Sequence, residues 1–127
     1  MHLCADGVAV SKDGQTLVVA NYYNDSISVF TGGLGHWPMV PGPDPKTRGL
    51  DLRPGKSDPS KAGLPGGEYP YWVVVKGTGS SATAYVSSIR DREIVVASLG
   101  GTLAVTAWIA VKGQPNKMTL NASQSLL

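Results

Sequence analysis

Apolar and polar positions alternate along much of this chain with a period of two, the spacing of a strand with one buried face. Gly7-Val8-Ala9-Val10-Ser11 and Thr16-Leu17-Val18-Val19-Ala20-Asn21 flank Lys12-Asp13-Gly14-Gln15. Lys-Asp-Gly between two β-branched runs predicts a hairpin, with Gly14 at the positive φ the turn needs. Tyr22-Tyr23-Asn24-Asp25 is a second polar turn and leads into Ser26-Ile27-Ser28-Val29-Phe30. The pattern resumes later with strands expected over residues 71–76, 82–88, 93–97 and 102–111, separated by the turns 77–81 and 89–92 and by Gly100-Gly101. After Lys112-Gly113-Gln114-Pro115 a further strand is expected over residues 116–120.

Between these two series lies a stretch of different character. Residues 31–70 hold eight of the nine prolines and nine of the sixteen glycines. Proline removes backbone donors and glycine raises the entropy cost of ordering, so most of the stretch is expected to be loop. Only residues 48–53 alternate, predicting one edge strand stopped by Pro54-Gly55.

The two series repeat each other. Asn21 to Ile27 matches Ser88 to Ile94, and Val8-Ala9-Val10 matches Val73-Val74-Val75, with a turn two residues longer in the second series. Residues 47–53 correspond to 106–112. Each unit is four short strands ending in a Gly/Pro crossover, the composition of a β-propeller blade of ~40–45 residues. The fold expected is all-β: a partial propeller with blade one over 7–54 (insertion at 31–46), blade two over 69–112 and the start of blade three over 114–127.

Composition agrees with this and narrows the chemistry. With 127 residues, 42% hydrophobic and 16% charged, the chain has the size of one domain and is too apolar for a disordered tail. Its formal net charge of +2 is no nucleic-acid footprint, and no run is long and apolar enough for a membrane span. The single cysteine, Cys4, excludes an intrachain disulfide and is expected to be a small buried apolar side chain. The first residues carry no signal peptide, and both ends break into strand-like runs, so the chain reads as cut from something longer.

The residues 7–21 (Gly-Val-Ala-Val-Ser-Lys-Asp-Gly-Gln-Thr-Leu-Val-Val-Ala-Asn), followed by Asn24-Asp-Ser-Ile-Ser-Val29, resemble the YVTN-type (YncE-like) β-propeller repeat. Val18 stands where that repeat has Tyr, and Ser87-Ser88 replace its Ala-Asn in the second unit. Residues 50–55, 66–70, 88–93 and 113–117 are similar to a narrower group of exported bacterial propellers, some fused to an alkaline-phosphatase-like domain. The resemblance implies a seven-bladed, WD40-like ring and a periplasmic or extracellular location. It covers nearly the whole chain outside residues 31–46.

Catalytic motifs are sparse. Gly49-Leu-Asp-Leu-Arg-Pro-Gly55-Lys56-Ser57 fails as a phosphate loop: five residues separate the glycines instead of four, Pro54 lacks an amide, and no helix is expected to follow. His2 and His36 have no carboxylate or thiol at ligand spacing, so neither a metal nor a cofactor is implied. No nucleophile elbow occurs, and Trp37, Trp72 and Trp108 are expected to pack rather than stack on bases.

Strand parity supplies one site. In a four-stranded meander the turn after strand two and the crossover after strand four emerge at the same end. That end is expected to gather Tyr22, Tyr23, Asn24 and Asp25 with Arg90, Asp91, Arg92 and Glu93, and from the crossovers Glu68, Tyr69, Asn116 and Lys117. Such mixed rims are where scaffolds bind ligands; the competing expectation is that residues 90–93 form surface ion pairs of small worth. The function expected is a non-catalytic propeller scaffold or binding module for a protein or small molecule, completed by further blades or by self-association through open sheet edges. A lactonase-like propeller hydrolase and the propeller half of a phosphoesterase fusion are the alternatives. A hydrolase would need a constellation repeated from blade to blade, and Asn21, Asp25, Glu68 and Asp91 are its only candidates.

Overall fold

A computed structural model describes residues 5–43 and 49–125. His2, Cys4, Thr47, Arg48 and the last two leucines lie outside the described residues. Eight strands form two four-stranded antiparallel sheets, each strand paired with its neighbour in sequence. Sheet one consists of β1 (Ala5–Val10), β2 (Thr16–Asn21), β3 (Ser26–Thr31) and β4 (Leu50–Asp51). Sheet two consists of β5 (Pro70–Lys76), β6 (Thr83–Ser88), β7 (Glu93–Ser98) and β8 (Ala104–Ala110). The expected all-β architecture is present as two open sheets.

The registers repeat closely. Val8 pairs with Val19 in sheet one, and Val73 with Val86 in sheet two. Both inner strands carry an irregularity at the equivalent place, between Ala5 and Gly7 and between Pro70 and Trp72. The β2–β3 and β6–β7 turns are each four residues long, and each ends on a residue of positive φ, Asp25 at 52° and Arg92 at 54°. Gly14, at φ 71°, closes the first hairpin as expected.

Sheet two stacks on one face of sheet one, and a single apolar core fills the space between them. Val18, Ala20, Ile27 and Val29 are fully buried from one side, and Val73, Val86, Val95 and Ala97 are at most 1% exposed from the other. The innermost strands come closest. A methyl group built on Gly7 would lie 2.7 Å from the Tyr71 carbonyl oxygen and 2.9 Å from the Trp72 Cα. At the outer strands the contact is polar as well as apolar, since the Trp108 indole N–H donates to the Leu52 carbonyl at 2.9 Å. Trp72 and Trp108 are partly buried, in line with the packing role expected for them.

Four expectations need correction. The proline-rich stretch is not all loop. Residues 30–40 form a small hairpin that continues sheet one, with a Gly33–His36 bridge and a Phe30–Met39 bridge. Pro38 fits there because its carbonyl is used, accepting from the Thr31 N–H at 3.2 Å, while its missing donor is not needed. The outer edge of sheet one is therefore built from two pieces. Ile27 pairs with Leu50, and an unbroken strand in that register would set residue 47 opposite Phe30, where Met39 stands instead. The two pieces thus differ by eight residues in register, and among the described residues the regular part of the predicted 48–53 strand is Leu50–Asp51.

Beyond β4 the chain is also more ordered than expected. Pro54 opens a single turn of helix, α1 (Pro54–Ser57), and Pro59 opens a 3₁₀ turn over Pro59–Lys61. Both prolines sit at the first helical position, where a fixed φ helps and a missing N–H costs nothing. A helix does therefore follow the Gly49–Gly55 loop, but it is one turn long. Lastly, residues 116–120 are not a strand. They lie along β5 without a partner strand, held where the Trp72 indole N–H donates to the Met118 carbonyl at 3.0 Å and the Ser87 hydroxyl to the Asn116 carbonyl at 3.5 Å. A strand needs ladder partners, and those of this segment would have to come from residues further along.

Candidate functional site

The end of the sheets chosen by strand parity gathers the named residues of 22–25, 68–69 and 90–93 but not Asn116 and Lys117, and their contacts separate them into groups with different work. Three carboxylates converge on the crossover that enters β5. Glu93 Oε1 accepts from the Gly67 N–H at 2.5 Å, Asp91 Oδ2 from the Glu68 N–H at 2.9 Å, and Asp25 Oδ1 from the Tyr69 N–H at 2.9 Å. Three successive amides are thus held by carboxylates, two from the junction of the β6–β7 turn with β7 and one from the β2–β3 turn. The crossover needs this because its backbone is contorted: Gly66, Gly67 and Tyr69 all have positive φ, at 146°, 69° and 53°. In that conformation the amides point away from any strand ladder and must find acceptors elsewhere. The Ser88 hydroxyl completes the clasp, donating to the Glu68 carbonyl at 2.6 Å.

Asp25 therefore ties the sheets together. It belongs to the β2–β3 turn of sheet one, its side chain holds the entry to sheet two, and its own carbonyl accepts from the Leu52 N–H at 2.8 Å. Asn21 is likewise occupied, its amide donating to the Ser26 and Ser28 hydroxyls at 3.1 and 2.9 Å. The hydrolase candidates Asn21, Asp25, Glu68 and Asp91 thus hold backbone and neighbouring side chains and form no constellation repeated between the sheets. Among the described residues no three His, Cys, Asp or Glu side chains are grouped to hold a metal ion.

A second group forms the visible rim. Tyr22 packs edge-on against Tyr23 and tilted against Tyr69, each pair with ring centroids 5.0 Å apart. Arg90 lies 5.5 Å from the Tyr69 ring centre and pairs with Glu68 at 2.8 Å. Of the surface ion pairs expected for residues 90–93, Arg90 forms one, with Glu68 rather than with a neighbour in the turn. Arg90 reaches out to Glu68, the two acids hold amides, and Arg92 lends its carbonyl to the Val111 N–H at 2.8 Å. A shallow recess of about 270 Å³ is lined by Tyr22, Tyr69, Ile89, Arg90 and Gln114. Beside it a broader cleft of about 530 Å³ runs under residues 53–65, bounded by Arg53, Lys56, Glu68, Arg90 and Asp91. Asn116 and Lys117 stand apart from both, with the Lys117 ammonium 5.3 Å from the Trp72 ring centre. Arg53 and Lys56 were outside the expected site. Arg53 is oriented by a bidentate pair with Asp51, at 3.0 and 2.7 Å, and the Asp-x-Arg spacing was the only sequence signal for it.

Glu93 is the rim carboxyl most affected by its surroundings. Burial raises its pKa above the ordinary 4.5, nearby Asp91 adds to the rise, and the Gly67 amide opposes both. A raised folded-state value means that the native state holds this proton more tightly than the unfolded chain does. Its contribution to stability is thus fully present below about pH 4.5 and is lost as pH climbs through the raised value. Glu93→Gln keeps an acceptor for the Gly67 amide and has no proton to lose. Urea midpoints measured from pH 4 to 7 should therefore decline less steeply for Glu93→Gln than for the wild type (about 4 and 7 bracket the carboxylate range). An unchanged slope would place the pH dependence elsewhere.

His36 is exposed at the tip of the small hairpin. Among the described residues no helix is long and apolar enough to cross a membrane. No protein-family model and no curated protein matches this chain.

Proposed function

We propose that these residues are a run of β-propeller repeats of the YVTN type that serves as a non-catalytic scaffold and binding module of an exported protein. One observation carries the reading: the relation between sheet one and sheet two begins again after sheet two. Gly7 abuts residues 71–73, and its register equivalent Trp72 is bonded to Met118, as far beyond Val73 as blade period requires. In this reading residues 114–125 are the approach to a third inner strand. The rim of Tyr22, Tyr69, Glu68 and Arg90 is the binding surface in this reading, because it sets two tyrosine rings and the Arg90–Glu68 pair beside a recess of about 270 Å³.

Stacked repeats cover their apolar faces only with neighbours, and among the described residues one face of sheet one is left open. The chain should bind a hydrophobic dye such as ANS, and Val8→Glu with Val10→Lys should remove most of that signal while leaving the circular dichroism spectrum intact. A chain that binds no dye and unfolds as a clean monomer speaks against the repeat reading.

A further inference from the structure

The face of sheet one turned away from sheet two has no cover among the described residues. Strand pairing sets Val10, Leu17, Phe30 and Met39 in one row of that face, and Val8, Val19 and Ser28 in the next. Val8 and Val10 are 56% and 51% exposed, and no charged side chain stands in either row. An apolar face of this kind on a soluble chain marks an interaction surface.

What fits it is present inside the chain. In the register that relates the two sheets, Val8, Val10, Leu17 and Val19 correspond to Val73, Val75, Ala84 and Val86. Those four form the face by which sheet two packs on sheet one. The surface receiving them carries Gly7, Ala9, Val18, Ala20, Ile27, Val29 and Leu50, and its equivalent in sheet two is the far face with Trp72, Val74, Tyr85, Ser87, Ile94, Val96 and Ile109. Each chain therefore contains its internal interface once, made; among the described residues the half on sheet one recurs uncovered, and the half on sheet two recurs partly covered by residues 114–125, with Ile94 only 6% exposed. Ile109 on the far face is 47% exposed.

We infer that the open face of sheet one docks on the far face of sheet two in a second copy of this chain, head to tail. The inference rests on the repeat reading above and names the partner surface that reading leaves open. Residues 114–125 lie over the inner part of the far face, held by hydrogen bonds from Trp72, Ser87 and Gly77 and by no strand pairing, and must give way when the second copy arrives. Trp72 also replaces Gly7 at the closest approach. The association is accordingly expected to be weak, with half-saturation in the tens of micromolar (on the order of −6 to −7 kcal/mol). Head-to-tail contacts do not close on themselves at the dimer, so assembly continues with concentration.

The test is sedimentation velocity on three proteins over about 5 to 500 µM, a range spanning that affinity. The wild type should show a mass that rises past the dimer. Val8→Glu with Val10→Lys blocks one half of the contact, and Ile109→Lys the other; each alone should stay monomeric. Mixed in equal amounts, the two variants should form a one-to-one dimer that grows no further, because the only live face on each meets the only live face on the other. The milder pair Val8→Thr with Val10→Thr keeps the side-chain shape and should weaken wild-type association at least fivefold, a check if the charged pair misfolds. A homodimer of Ile109→Lys would overturn the inference in favour of open face against open face. Association that survives both charged variants would overturn it in favour of strand edges. A wild type that stays monomeric overturns it as well: if that monomer still binds the dye, the repeat reading stands, and if it does not, both fall.

Discussion

Replacing Gly7 with alanine should lower the thermal unfolding midpoint of this protein by ~10 °C, although the residue is in an ordinary extended strand and its substitution adds one methyl group. That methyl would sit 2.7 Å from a backbone oxygen and 2.9 Å from a backbone Cα of β5. Neither atom can rotate aside as a side chain can, so β1 and β5 must separate. Separation of the inner strands loosens the packing of Val18, Ala20, Val73 and Val75, which share one core. Overpacking of a tight interior costs typically 1–3 kcal/mol, and a change of ~3 kcal/mol in a chain of this size corresponds to that shift in midpoint. Val8→Ala, one residue away on the open face, is the control and should move the midpoint by no more than ~2 °C, as surface changes do. Equal effects at the two positions would show that the close approach of the inner strands does not limit stability.

The second large effect is expected at the carboxylate clasp. Asp91→Ala or Asp25→Ala each leaves a partly buried amide of the 67–69 crossover without its acceptor, a loss of about 1–3 kcal/mol apiece. The two acceptors hold adjacent amides, Glu68 and Tyr69, whose segment is already at positive φ. Once one is gone the segment relaxes and the other is worth less, so the double variant should lose less than the sum of the singles, by ~0.5–1 kcal/mol. Asp91→Asn retains an acceptor and should recover most of the loss. Hydrogen exchange supplies the local reading: protection at the amides of residues 67–69 should fall about tenfold for each 1.4 kcal/mol lost. Strict additivity, with protection elsewhere falling equally, would mean that the carboxylates act through global stability alone.

The clasp also shows why the rim was only half legible. Strand parity placed Tyr22, Asp25, Glu68, Tyr69, Arg90, Asp91 and Glu93 at one end, and they are there. Parity is a property of the backbone path and is readable wherever strands and turns are. The division of labour among the side chains is not, because it depends on which amides the crossover leaves unpaired. Nothing in Gly66-Gly67-Glu68-Tyr69 reveals that Tyr69 adopts a φ of 53° or that its amide turns toward Asp25, 44 positions earlier. Arg53 and Lys56 were missed for a related reason. They enter the rim because residues 53–65 fold back as two short helical turns, an outcome of Pro54 and Pro59 at first helical positions that a count of prolines reads as loop.

What the sequence determined by itself was the seven longer strands, their order and their repetition. Those rest on local chemistry: a period of two in β-branched runs, Gly14 in its hairpin, and turns of matched length at residues 22–25 and 89–92. Tertiary structure alone decided how the repeats use one another. The eight-residue departure in the outer strand of sheet one is set by where Met39 and Leu50 find partners on β3, and both registers satisfy the same alternation. Residues 116–120 have the alternation of a strand and are none, since a ladder needs a neighbour and sequence periodicity records only which face would be buried. The close contact of Gly7 with β5, and the open apolar face behind it, likewise follow from two sheets sharing one core, a fact about distance that no single strand contains.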